Sequence, residues 1–163
     1  MIHKYQPQDI NRIYFIINET AKAYEGTISA DCYHQPYMPL DELGREMGRT
    51  TFFGWEIKGE LVGVVGFEPI KDVTLIRHAY VLPRWQKQGI GSKLINHLRG
   101  LVTISRLLVG TWADAHRATN FYKKHSFSLL PNKDGLLKTY WNIPQRQIET
   151  SVVLEISPTP RHP

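Results

Sequence analysis

Apolar positions change their period along this chain, and the changes divide it into elements. Ile2 to Tyr5 reads as an edge strand. Ile10, Ile13, Tyr14, Ile17, Ala21 and Tyr24 then recur at helical spacing, with Asp9 as a cap before them and Gly26 as the stop. Asp41 to Met47 reads as a second helix. Thr51 to Ile57 and Leu61 to Phe67 carry strand formers on either side of Lys58-Gly59-Glu60, which predicts an antiparallel hairpin. Gly63 and Gly66 lower the strand propensity of its second arm, and mark either a close ligand approach or a bulge. Val73 to Leu82 is the next strand, and Pro83, which lacks a ladder donor, stops it. From Gly91 to Leu101 the period is helical again, through Leu94, Ile95, Leu98 and Leu101. A strand from Ser105 to Thr111, a helix from Ala113 to His125 and a short strand ending at Leu129 and Leu130 follow. A short helix from Asp134 to Trp141 and a β-rich run from Thr150 to Ile156 complete the series.

The order predicts a mixed α/β fold in one domain over residues 1–156, with a right-handed crossover at the central strand–turn–helix. Ser157 to Pro163 is rich in proline and reads as a loose tail. The turn in that crossover, Gln86 to Gly91, carries the chemistry. Consecutive amides there can point into one concavity, and the helix start adds unpaired N–H groups and a positive dipole end. Such a site suits a phosphate or pyrophosphate, with Gly89 and Gly91 keeping Cβ atoms clear of it. The chain has no G-x-x-x-x-G-K-[ST], and Leu94 stands where G-x-G-x-x-G needs its third glycine. A P-loop and a dinucleotide fold are therefore disfavoured.

Composition narrows the class. At 163 residues, 42% hydrophobic and 21% charged, the chain can bury a sizeable core. No stretch approaches a membrane span, and the N-terminus lacks the apolar core of a signal peptide. A lone Cys32 excludes an internal disulfide framework and a cysteine-rich metal site, and points to a cytoplasmic protein without a metal. The net charge of +5 is dispersed, with no zinc-finger spacing or RNA-binding signature, so a phosphate-rich small molecule fits better than nucleic acid.

Gln86, Gly89 and Gly91 match Q/R-x-x-G-x-G/A after Tyr80-Val81-Leu82-Pro83, and Ala118 to Phe127 matches A-x-x-F-Y-x-K-x-G-F. In this order the two segments resemble the GCN5-related N-acetyltransferase (GNAT) superfamily, over about Ile2 to Ile156. The resemblance implies a central mixed, splayed β-sheet flanked by helices, with acetyl-CoA as cosubstrate. It implies a pyrophosphate cradle from the amides of Gln88, Gly89, Ile90, Gly91 and Ser92. Gln86 begins that segment and Lys87 is its outer phosphate contact. The backbone of Tyr80 and Val81 resembles the strand edge that pairs with the pantetheine arm, where the sheet opens toward the strand Ser105 to Thr111. Asn120 matches a side chain that bonds the cofactor. Tyr122 resembles the family's tyrosine beside the thioester sulfur, where a phenol can protonate the departing thiolate. On its own, Tyr122 reads first as a core aromatic between Phe121 and Phe127.

The implied reaction is direct attack of a primary amine on the acetyl carbonyl, with a backbone N–H at Val81 or Leu82 as oxyanion donor. Where some relatives carry a glutamate base, this chain has Leu75. His78, Glu68 and a water chain stand open as the base, and His78 reads equally as a buried histidine joining strands. The missing glutamate also admits a non-catalytic acyl-CoA-binding or regulatory module. Ser126 replaces the motif's glycine and Ala115 a common asparagine. Tyr33, His34, Tyr37 and Met38, with Trp112, form a candidate wall for a small-molecule or peptide amine acceptor. Arg117 either meets the phosphates or is solvated. Neither nucleic acid nor membrane is an expected partner. The protein reads as a monomer or a homodimer, since Val152 to Ile156 either buries within one chain or meets a partner's edge.

Overall fold

The computed structural model describes residues 1–102 and 106–156. Ser105 and the tail Ser157 to Pro163 lie outside the described residues. Seven strands form one sheet in the order β1-β2-β3-β4-β5-β7-β6. They are β1 (Ile2–Tyr5), β2 (Thr51–Ile57), β3 (Glu60–Ile70), β4 (Val73–Val81), β5 (Arg106–Trp112), β6 (Phe127–Leu129) and β7 (Ser151–Ile156). Neighbours pair antiparallel except β4 and β5, which run parallel across the crossover. The helices are α1 (Ile10–Ala21), α2 (Leu40–Met47), α3 (Ile90–Leu101), α4 (His116–Lys124), α5 (Lys133–Tyr140) and α6 (Gln145–Glu149). No helix among the described residues is long and apolar enough to cross a membrane.

The apolar periods decide which face each helix covers. Leu94, Ile95 and Leu98 of α3 are buried against Val62, Ile76 and Val109, at about 2 kcal/mol for each side chain removed from water. On the opposite face Ile13, Ile16 and Ile17 of α1 and Leu43 of α2 pack on Phe52 and Val64. Farther along that face, Leu137 of α5 and Ile148 of α6 cover Leu75, Leu108 and Val153. Gly63 lets α3 sit close to the sheet, because a Cβ there would lie 3.2 Å from Ile90 and 3.3 Å from Leu94.

Several boundaries differ from the apolar pattern for local reasons. Helix α1 stops at Ala21, and Lys22–Tyr24 tightens into a 3-10 turn before Gly26 at φ +78°. Asp9 does not cap α1; its Oδ2 instead accepts the Gln6 amide at 2.8 Å. Helix α6 has only five residues after Pro144, too few to show a period. Helix α5 tolerates Gly135, where an added Cβ would meet open space. Strand β7 does not meet a partner's edge: it lies between β5 and β6 and pairs with both.

Candidate functional site: an opening between the two parallel strands

β4 and β5 pair only from Val73↔Arg106 to Ile76↔Val109. Beyond that point Arg77 to Val81 has no partner on the β5 side, although β5 continues to Trp112 beside β7. The divergence begins at a bulge. β3 pairs Gly66 with His78 and then Phe67 with Ile76, so Arg77 is an extra residue in β4. A bulge bends its strand and increases the local twist. The result is a cleft lined by Arg77, Ala79, Tyr80, Gly110, Thr111 and Tyr122, with Tyr24 beside them.

Ladder alternation identifies the free backbone groups in that cleft. The Leu82 amide donates to the Val62 carbonyl at 2.9 Å. Hydrogen-bonded pairs alternate along an antiparallel ladder, so Tyr80 and His78 also exchange bonds with β3, opposite Val64 and Gly66. Ala79 and Val81 therefore direct their N–H and C=O groups away from β3, into the opening. Gln86 confirms the direction, since its Nε2 donates to the Val81 carbonyl at 2.9 Å. Two expectations change. Leu82 has no free N–H to offer an oxyanion, and Tyr80 enters the cleft by its side chain while its backbone serves β3. Ala79 is the edge residue that the motif did not single out.

The turn leading to α3 has the expected shape. Pro83–Trp85 forms one 3-10 turn, Lys87 has φ +64° and Gly89 caps α3 at φ +83°. No side chain caps α3, so its first amides stay directed outward at the end of the cleft. Gly89 has open space around it, as a ligand-facing position requires. Gly91 has another role: its Cβ would lie 3.1 Å from two Phe121 ring atoms. It is small so that α4 can pack against α3. Gln88 bonds the Arg84 carbonyl at 3.4 Å, and Ser92 Oγ lies 3.0 Å from His125 Nε2. Burial, then Arg99, pushes the His125 imidazole down from its ordinary range. Lys87 and Asn120 are exposed, and Arg117 is exposed on α4.

Phenols crowd the other side of the cleft. Tyr122 is buried between Phe121 and Phe127, with ring centroids 5.4 Å from each. Tyr122 also lines the cleft, so it is a core aromatic that reaches the opening. Tyr24 and Tyr80 both line the cleft, and the Tyr24 ring lies 5.3 Å from Tyr37. The buried Trp112 donates its Nε1–H to the Tyr37 hydroxyl at 2.7 Å. Burial raises the pKa of Tyr24, Tyr37, Tyr80 and Tyr122 above the ordinary phenol range, so all four are neutral donors near pH 7.

The two base candidates stand behind this wall, not in the cleft lining. Glu68 is buried, with Oε1 3.5 Å from Arg49 and Oε2 3.7 Å from Arg77. His78 is buried between Phe52 and Tyr80, and its Nε2 lies 3.1 Å from Glu46 Oε2. Glu46 is the residue that motif reading missed. Its signal was a carboxylate three residues after Leu43, on the buried face of α2. Ser126 takes φ +72°, so serine holds the left-handed turn that the motif's glycine would adopt freely.

Comparison with known proteins agrees with this architecture. No curated protein matches the chain. Among solved structures, the PaiA N-acetyltransferase of Thermoplasma acidophilum, in complex with coenzyme A, superposes with a TM-score of 0.74 at 15% identity, covering 96% of this chain and 98% of that one. A GNAT acetyltransferase of Staphylococcus aureus Mu50 gives 0.73 at 16% identity, covering 98% and 99%. Aminoglycoside 6'-acetyltransferase type Ii gives 0.67 at 18% identity, covering 99% of both. At these identities the likeness is one of fold. A family model described as the acetyltransferase (GNAT) family matches residues 13–127, which include the bulged strand, the turn and the Tyr122 helix. The chain therefore belongs to the GNAT acetyltransferase family.

Proposed function

We propose that this protein is an N-acetyltransferase that carries acetyl from acetyl-CoA directly to a primary amine. The observation that carries the reading is the opening of the sheet past Ile76, with the free edge of Ala79 and Val81 on one side and the Tyr122 hydroxyl on the other. Acetyl-CoA fits it in kind: the α3 amides and Gly89 suit the pyrophosphate, and the Ala79–Val81 edge suits the amide-bearing arm as an added strand. Lys87, Gln88, Ser92 and Asn120 surround that path as outer contacts. Gln86 holds the Val81 carbonyl and must release it to an incoming amide.

The bound thioester supplies an electrophilic carbonyl; the chain supplies position and charge. The Val81 N–H, unclaimed by β3, suits the negative charge that develops on the carbonyl oxygen. Neutral Tyr122 donates its proton to the departing thiolate. For the amine's proton we favour His78 over Glu68. Each Glu68 oxygen is matched to a guanidinium, whereas the His78 Nδ1 is buried with no partner. The Tyr80 ring, which belongs to a cleft-lining residue, lies 6.2 Å from that imidazole. Amine acceptors are in keeping with two structural neighbours, the aminoglycoside 6'-acetyltransferase and the ribosomal-protein-S18-alanine N-acetyltransferase of Escherichia coli. The free Cys32 suits a cytoplasmic setting.

Thiol release from acetyl-CoA across a panel of primary amines tests the proposal. Turnover with at least one amine is expected, and Tyr122→Phe should lower kcat by about 100-fold with nearly unchanged acetyl-CoA affinity. Saturable acetyl-CoA binding without release for any amine would instead make this a binding module. Absence of binding would remove the reading altogether.

A further inference from the structure

The bulge in β4 has an anchor outside the cleft. Successive strand residues normally point to opposite faces, yet Arg77 and His78 both turn toward α2. There they meet one carboxylate: Arg77 Nη2 lies 2.7 Å from Glu46 Oε1, and His78 Nε2 lies 3.1 Å from Glu46 Oε2. Glu46 is only 3% exposed. Two other charged groups reach this cluster. Arg49, which follows α2, lies 4.0 Å from Glu46 and 3.5 Å from Glu68, and Glu68 of β3 lies 3.7 Å from Arg77.

We infer that Glu46 is a positioning residue for acetyl transfer, clamping the β4 bulge and fixing His78 as the Nε2–H tautomer with its Nδ1 lone pair free. The inference rests on His78 being the proton acceptor proposed above. Glu46 accepts from Arg77 and from His78; burial raises its carboxyl, but these bonds outweigh it and hold it below the ordinary carboxylate range. An ionised carboxylate only accepts. The proton in the Glu46–His78 bond therefore belongs to the imidazole Nε2. In the neutral ring this leaves Nδ1 as the unprotonated nitrogen, and Nδ1 has no partner among the described residues. The same carboxylate fixes the ring's orientation and braces Arg77, while the ladder with β3 sets the residue at which β4 leaves β5. Glu46 touches no reacting atom; it acts through its neighbours.

Imidazole ¹⁵N NMR and steady-state kinetics on wild type, Glu46→Gln and Glu46→Asp test this together. The wild-type spectrum should show His78 protonated at Nε2 and unprotonated at Nδ1 near pH 8. Glu46→Gln, whose amide can accept or donate, should show a mixture of tautomers. Its kcat should fall by about 100-fold, the scale for a misplaced catalytic group, while acetyl-CoA affinity stays within about threefold because β3 and α3 still hold the cofactor path. Glu46→Asp keeps the charge and should recover the Nε2–H tautomer with part of the turnover. If Glu46→Gln does not fold, the wild-type spectrum and the Asp variant decide. A wild-type His78 protonated at Nδ1, or a folded Glu46→Gln with wild-type kcat, overturns the inference. If wild type itself releases no thiol with any amine, the functional reading fails while the imidazole spectrum still tests the clamp.

Discussion

Acid should dismantle the Glu46 cluster in a measurable window. The carboxyl is held at about 2 in the folded chain against an ordinary 4.5. At about 1.4 kcal/mol per pH unit, that gap corresponds to about 3 kcal/mol of folding stability. Because the folded value is the lower one, this contribution is complete above the ordinary value. It is lost as pH falls from about 4.5 toward about 2. The isosteric Glu46→Gln change isolates it. Near neutral pH the variant leaves Arg77 without the counter-charge of Glu46 and replaces the carboxylate that accepts from His78 Nε2, at a cost of about 3–5 kcal/mol. A domain of this size can bear that loss, since total stability is typically about 5–15 kcal/mol. At low pH the wild-type residue is itself an uncharged group of the same shape, so the two proteins should converge. Urea unfolding at a series of pH values, from about 6 to about 2.5, reads the gap directly. Asp31, Glu56 and Asp72 also have lowered values, led in each case by a hydrogen bond, from Arg146, Arg12 and Tyr140 respectively. They are common to both proteins and distant contributions cancel in the difference. A gap that stays constant across the series would refute the buried ionised carboxylate.

Three further outcomes follow from the packing. In Gly91→Ala the new Cβ would stand 3.1 Å from the Phe121 ring, which must give by a few tenths of an ångström. The gain of about 1 kcal/mol in helix propensity offsets that strain, so Tm should hold within about 3 °C, whereas turnover should fall because Phe121 abuts Tyr122 at 5.4 Å. Ser126→Gly relieves a left-handed serine at φ +72°; release of about 1–2 kcal/mol, less the chain entropy of glycine at about 0.5–1 kcal/mol, should raise stability by about 1 kcal/mol in urea titration. Trp112→Phe removes the 2.7 Å bond to Tyr37, so it should raise KM for the amine several-fold and leave acetyl-CoA affinity unchanged; the reverse pattern would place Tyr37 outside the acceptor wall.

Most of the fold was legible because it follows period and punctuation. Lys58-Gly59-Glu60 announced the hairpin, and Pro83 with Gly89 announced the strand–turn–helix; all three lie where turn chemistry puts them. The uncapped start of α3 was legible for the same reason, since the glycine before it is a local feature. What escaped depends on pairing. Nothing local in Arg77 marks it as the extra residue in a ladder with β3, and the assignment of free amides to Ala79 and Val81 needs that register. Tyr80 was misassigned by backbone because strand alternation has no visible phase in a run of apolar residues. Glu46 was overlooked because a carboxylate on a short polar helix reads as solvated until its Arg77 and His78 partners arrive from a strand more than 30 residues away.

The bulge links these residues into one arrangement. Without the extra residue, β4 would keep its parallel pairing with β5, and Ala79 and Val81 would spend their amides on β5 instead of a ligand. The extra residue also puts Arg77 and His78 on one side, where a single carboxylate can hold both. The segment that leads into α2 carries Tyr37 and Met38, and Met38 is tied to α1 by Asn18 at 2.8 Å. The candidate acceptor wall and the carboxylate that clamps the bulge therefore share one short stretch of chain, from Tyr33 to Glu46. A substitution in that stretch should affect acceptor choice and turnover together, whereas one in the Gln86–Gly89 turn should affect acetyl-CoA affinity alone. A panel of alanine variants scored for both kinetic parameters separates the two regions, and a Gln86–Gly89 variant that changes acceptor preference would break this division.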